Sequence, residues 1–154
     1  MYRQSLRGGW SLLAGLAITV TAAAGCGHTL IREGEQQVPL ETSRSAPAAL
    51  GQVNAIVNEQ GNTEFTVKVD HLAPPASLER GATNYVVWVK PLDESRPAQN
   101  VGALKVNLGE RKGEYKGATP YRRFRLEITA EVDPTAQQPT TRPILSAQVA
   151  QRRR

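Results

Sequence analysis

The sequence predicts an all-β fold: an immunoglobulin-like antiparallel β-sandwich of about six or seven strands, preceded by a signal peptide and a flexible tether. Three observations carry this. Short runs rich in Val, Ile, Tyr, Phe and Trp recur through residues 50–151, and several alternate apolar with polar residues at the period of a half-buried strand. Gly, Pro, Asn and Asp separate the runs. No segment has the apolar spacing of an amphipathic helix, so parallel strands joined by helical crossovers are not expected.

The first 25 residues differ in kind. Arg3 and Arg7 precede an uncharged run over residues 10–25 that ends in Ala, Thr and Gly, the order of an export signal. A membrane-spanning helix wants about 20 apolar residues, and this run is shorter, which makes a retained anchor the second choice. Ala22-Ala23-Ala24 also satisfies an ordinary cleavage site, which would release a secreted soluble binding protein with a free thiol. Residues 26–49 are polar, interrupted by Gly34, Pro39 and Pro47, and show neither helical nor strand periodicity. They are expected to be a flexible tether.

Within the domain, residues 52–57 and 63–69 read as a hairpin around the turn 58–62, with Phe65, Val67 and Val69 pointing inward. Ala73-Pro74-Pro75 opens a loop. Residues 84–90 form the central strand, because Tyr85, Val87 and Val89 make one face apolar while Val86 and Trp88 make the other so. Residues 101–108 read as one strand with Leu104, Val106 and Leu108 on a common face, and residues 109–117 as a charged, Gly-punctuated connection. In 121–132, Phe124, Leu126, Ile128, Ala130 and Val132 alternate with polar residues; Leu145, Ala147 and Val149 mark the last strand. The expected core is Phe65, Val67, Val69, Tyr85, Val87, Leu104, Val106, Phe124, Leu126 and Ile128.

Charge and composition exclude some functions. The formal net charge of +5 resides in Arg3, Arg7 and the basic tail Arg152-Arg153-Arg154; the remaining 14 Lys and Arg balance 14 Asp and Glu. No nucleic-acid binding is expected of a body without excess charge. One cysteine, Cys26, and two histidines, His28 and His71, leave little for a metal site, and no metal or cofactor is expected. Asp93-Glu94 reads as a solvated turn and not as a catalytic carboxylate pair. Asp70-His71 lacks the Gly-x-Ser-x-Gly elbow of a hydrolase nucleophile. Arg122, Arg123 and Arg125, with Lys112 and Lys116 near, read as a solvated strand face or as a contact for anionic lipid or glycan. Trp88 is either a ligand-stacking residue on the outer face or a side chain packed under a strand or loop.

Ala23-Ala24-Gly25-Cys26 resembles the bacterial lipobox, with Ala23 where that pattern prefers Leu. The resemblance implies thiol acylation of Cys26, cleavage before it, and a membrane-anchored cell-envelope lipoprotein. Gly27, where Asp would favour inner-membrane retention, leaves outer-membrane sorting towards the periplasm open. Leu72, Pro74-Pro75, Gly81, Tyr85, Trp88, Val89, Gly102 and Leu104 resemble the extracytoplasmic domain of anti-sigma-K-type regulators, which implies a small β-sandwich outside the membrane. The helical sigma-binding segment of that family has no counterpart ahead of the apolar run, so the regulatory activity is not expected here. The expectation is a non-catalytic module meeting membrane lipid through Cys26 and an envelope protein or cell-wall component through its domain. The alternative is a small-ligand or glycan-binding domain using Trp88.

Overall fold

A computed structural model describes residues 34–93 and 96–151, all within one compact unit spanning Ile31–Arg154. The expected export signal, Cys26, His28 and the Arg152–Arg154 tail lie outside the described residues. The described chain is β1 (Gln36–Pro39), β2 (Glu41–Thr42), β3 (Leu50–Val57), β4 (Thr63–Asp70), α1 (Pro75–Leu78), β5 (Asn84–Pro91), β6 (Gln99–Ala103), β7 (Lys105–Asn107), β8 (Lys112–Thr119), β9 (Arg123–Glu131) and β10 (Leu145–Ala150).

These strands form two antiparallel five-stranded sheets. The first has the order β1-β3-β4-β8-β7, the second β2-β10-β9-β5-β6. Taking β3, β4, β5, β7, β8, β9 and β10 as A to G gives the sheets A-B-E-D and C-F-G of the immunoglobulin constant arrangement. β6 adds a C′ strand, and β1 and β2 precede A. The expected all-β sandwich is therefore present, with ten strands and not six or seven.

The core lies between the sheets where alternation puts it. Val53, Phe65, Val67 and Val69 face Tyr85, Val87, Val89, Phe124, Leu126 and Ile128, and all are buried. Phe65 packs across the gap on Phe124, with ring centroids 5.6 Å apart, and on Tyr115 at 6.0 Å. Each fully buried residue of this kind contributes about 1.5–3 kcal/mol relative to exposure. Of the expected core, only Val106 falls short, being half-buried at the sheet margin.

Four local expectations are corrected. The tether does not run to residue 49: residues 36–42 are strands in both sheets, and Leu40, Ala46 and Ala49 are buried. The polar sequence there hid edge strands, whose outward residues face water. Residues 101–108 are not one strand. The backbone N–H of Leu104 still bonds Tyr85 O of the second sheet at 2.8 Å, whereas Lys105 already pairs with Glu114 of the first. This crossing turns Leu108 out to solvent. Residues 112–119 are a strand, not a connection. Finally, the loop after Pro74 carries the single-turn helix α1.

The two sheet crossings share one device. Leu40 passes from β1 to β2 as Leu104 passes from β6 to β7, and each leucine lies over a glycine of a neighbouring strand. A Cβ on Gly51 would come 2.6 Å from Leu40 Cδ1; a Cβ on Gly113 would come 2.4 Å from Leu104 Cδ2 and 2.8 Å from Leu72 Cδ1. Each leucine fills one lateral opening of the sandwich, and the glycine makes room for it.

Replacing Gly113 with Ala is expected to destabilise the domain by about 1–3 kcal/mol through overpacking. Gly109→Ala, whose Cβ would meet only Asn107 Oδ1 at 3.4 Å, is the near-neutral control. Urea unfolding of both variants decides it; equal midpoints would contradict the packing argument. Leu40→Ala should cost about 2–5 kcal/mol by the same measurement. A change within error would return residues 36–42 to a dispensable tether.

Candidate interaction surfaces

The outward faces of the two sheets have opposite characters. On the second sheet, Val86, Trp88, Thr129 and Glu131 point away from the core, yet each is at most 1% exposed. The connection 132–144 supplies their cover. Asn100, opposite Trp88 in the β5–β6 register, donates from Nδ2 to Pro134 O and Ala136 O, both at 2.9 Å. The Thr141 hydroxyl donates to Ala130 O at 3.0 Å.

Beneath this connection runs a chain of hydrogen bonds. Trp88 Nε1–H donates to Thr129 Oγ1 at 2.8 Å, and that hydroxyl donates to Glu131 Oε1 at 2.7 Å. Thr140 closes the chain, its N–H donating to Oε1 at 3.1 Å and its hydroxyl to Oε2. A buried carboxylate without partners is heavily penalised. Burial does push the Glu131 carboxyl up, but the Thr140 and Thr129 side chains and the Thr140 and Thr141 backbone outweigh it and hold the group below its ordinary value. Glu131 is thus an ionised clamp holding the connection to the sheet.

Of the two readings of Trp88, the structure has the side chain packed under a connection. Its indole is 0% exposed and its N–H is engaged, so it presents no face to a sugar or partner. The burial follows from position: a residue on the outer face of a central strand is covered once a long connection folds across that face.

The remaining sequence candidates are dispersed. Asp93 pairs with Arg123 at 2.6 Å, and Glu94 lies outside the described residues. Asp70 and His71 are exposed at the end of β4, with His71 at φ 58°, and no side-chain hydrogen bond links them. Arg123 and Arg125 belong to β9, while Lys112 and Lys116 belong to β8 in the other sheet, so the five residues form no single stripe. The four hydroxyl- and carboxylate-bearing partners under the connection were not singled out from sequence; Thr129 and Glu131 read there as the solvated half of an alternating strand.

The outward face of the first sheet is open. Its rows run Asn54–Thr66–Lys116 and Gln52–Lys68–Glu114–Lys105 across the strands. Glu114 also takes Lys116 at 3.1 Å. An open groove of ≈ 700 Å³ follows β4, β8 and β7, lined by Lys68, Asp70, Lys105, Lys112, Glu114 and Tyr115. The Tyr115 ring itself crosses the sandwich and its hydroxyl donates to Val101 O. Tyr85 does similar work from the other sheet, donating to Ala73 O at 2.6 Å with its phenol pushed up to about 12 by burial. Both phenols are structural donors. This mixed-charge face was hidden in the sequence because β8 read as a connection.

The four edge strands are poor templates for strand addition. β2 has two residues, β7 has three and carries Lys105, β1 contains Pro39, and β6 breaks register against β5 between Val87 and Trp88. Short, Pro-bearing, charged and bulged edges are how sheets avoid pairing with other chains.

Among the described residues, no group of three His, Cys, Asp or Glu is placed to hold a metal ion, and no helix is long and apolar enough to cross a membrane. No protein-family model, curated protein or solved structure matches the chain.

Removing the Glu131 charge with Glu131→Gln is expected to lower stability by about 1.5–3 kcal/mol at neutral pH. A carboxyl whose folded pKa is depressed contributes stability that is complete above its unfolded pKa and is lost as pH falls through the folded value. Wild type should therefore lose more stability than Glu131→Gln on going from neutral to strongly acidic pH. Parallel acid-dependence curves from denaturant unfolding would remove Glu131 as the clamp.

Proposed function

We propose that this protein is a non-catalytic bacterial cell-envelope lipoprotein, anchored through an acylated Cys26 and displaying its sandwich as a protein-interaction module. The observation that carries the display role is the contrast between the two outer sheet faces. One is covered over Val86, Trp88, Thr129 and Glu131 by a connection clamped on Glu131; the other is exposed and lined with charges of both signs. The blunted edges direct contact to this face and to the ends of the sandwich. A partner meeting Lys68, Glu114 and Lys105 would be held by complementary polar contacts, which serve specificity and association rate more than affinity.

The anchoring half of the reading rests on residues 1–26 of the sequence: two arginines, an uncharged run, small residues and a lone cysteine. A free thiol in an exported chain is unusual without a purpose, and acylation supplies one. Attached acyl chains anchor because each buried CH2 contributes about 0.8 kcal/mol. Outer-membrane sorting is consistent with Gly27 after the cysteine.

Membrane fractionation of wild type and Cys26→Ala, with intact mass of the wild-type product, tests the anchor. The expected result is a membrane-bound wild type whose mass corresponds to a chain starting at acylated Cys26, and a variant that leaves the membrane. A soluble wild type starting at Gly25 would reject the anchor. Photo-crosslinking from position 68 against position 148 tests the face: a discrete adduct from Lys68→benzoylphenylalanine and none from Gln148→benzoylphenylalanine is expected.

A further inference from the structure

The domain has two ends, and its topology assigns the chain termini to one of them. Gln36, at the start of β1, pairs with Ala55 near the β3–β4 turn. At the other terminus, Gln151 N–H bonds Arg122 O in the β8–β9 connection, and its side chain reaches Ala55 O at 2.7 Å. The connections 58–62, 92–98 and 120–122 belong to this end. The connections 43–49, 71–83, 108–111 and 132–144 belong to the opposite one.

The first described strand begins at Gln36, and residues 27–35 lie between it and Cys26 in the sequence. At about 3.3 Å per residue, nine residues reach at most about 30 Å. An anchor at Cys26 would therefore limit how far this end can stand from the headgroups.

The same end holds cations without counter-ions. Lys90 and Arg125 are direct cross-strand partners on the outward face of the second sheet, where like charges oppose each other. The third strand of that row contributes neutral Gln148, and the next acid along β9 on this face is Glu127. No ion pair joins Lys90, Arg125 or Arg122 to an acid among the described residues. Arg122 extends over the β3–β4 turn, its guanidinium 3.7 Å from where a Cβ on Gly61 would stand. Arg123 beside them is already neutralised by Asp93. Of the acids of this end among the described residues, Asp93 is taken by Arg123, while Glu35, Glu59 and Glu64 lie on the first-sheet side, where Glu35 and Glu64 border one groove and Glu64 accepts from Asn58 at 2.9 Å.

We propose that Lys90, Arg122 and Arg125 seat the domain end-on against the anionic phospholipid headgroups of the membrane that anchors it. The proposal rests on the lipoprotein reading. An unpaired like-charge couple is unfavourable in isolation and becomes favourable beside a surface of negative potential, which acts within a Debye length of about 8 Å. Acids on one side and cations on the other tilt the second sheet towards the bilayer and leave the charged face of the first sheet accessible.

The test uses full-length protein purified from membranes, its Cys26 acylation established by intact mass, in vesicles of phosphatidylcholine alone or with phosphatidylglycerol. A fluorophore is attached through Gln60→Cys at the basic end or Glu79→Cys at the opposite end, and quenching by a headgroup-labelled lipid is read. The expected result is stronger quenching at position 60 in anionic vesicles than in neutral ones, reversed by salt, with position 79 indifferent to composition. Lys90→Gln/Arg122→Gln/Arg125→Gln should abolish the difference, while the equally charge-depleted Lys68→Gln/Lys105→Gln/Lys112→Gln keeps it. Quenching independent of lipid charge, or insensitive to the first triple variant, overturns the docking and leaves the anchor intact. Absence of acyl mass overturns the anchor and the docking with it.

Discussion

The double-sided burial of β5 governs the structure. Tyr85, Val87 and Val89 meet the opposing sheet, which a sandwich provides automatically. Val86 and Trp88 face the other way, and a sandwich has no third layer to offer them. The cover has to come from a connection, and residues 132–144 provide it. Irregular backbone does not hold itself on a sheet, so it is fastened through Asn100, Thr141 and the Trp88–Thr129–Glu131–Thr140 chain. Ionised and fully engaged, Glu131 supplies the strong acceptor that a neutral side chain would not.

The crossings at Leu40 and Leu104 impose a second constraint. A strand that leaves one sheet for the other ends an edge early on both, so all four margins are short or irregular. The leucines close the lateral openings and the glycines beneath them permit the approach. With the edges blunted and the middle of one face covered, the open surfaces of the described residues are the charged face of the first sheet and the two ends.

These features combine into one mechanical picture of the proposed lipoprotein. In that proposal residues 27–35 join the anchor to the first described strand, and the basic end is set towards the membrane, with the charged face beside it and the distal connections away from it. Each part uses a different force: hydrocarbon burial for anchoring, screened electrostatics for orientation, and polar complementarity for partner choice.

Local alternation was enough to read β3, β4, β5, β9 and β10, because a strand with one wet face and one dry face writes a period of two into its own residues. The sandwich class, most of the core and the hairpin at residues 58–62 followed from that. The proposed export signal and anchor at Cys26 likewise rest on the sequence, on residue order and composition. Tertiary structure alone decided the rest. Gly113 and Gly117 look like turn residues until Leu72, Leu104 and Tyr115 occupy the space where their side chains would be. β1 and β2 are too polar and too short to announce themselves, and exist because β3 and β10 offer them hydrogen-bonding edges. Trp88 and Glu131 sit at positions that alternation assigns to the outer face, and only the return of a connection from 132–144 buries them. In each case the deciding contact joins residues distant in the chain, and such contacts leave no periodic trace in the local sequence.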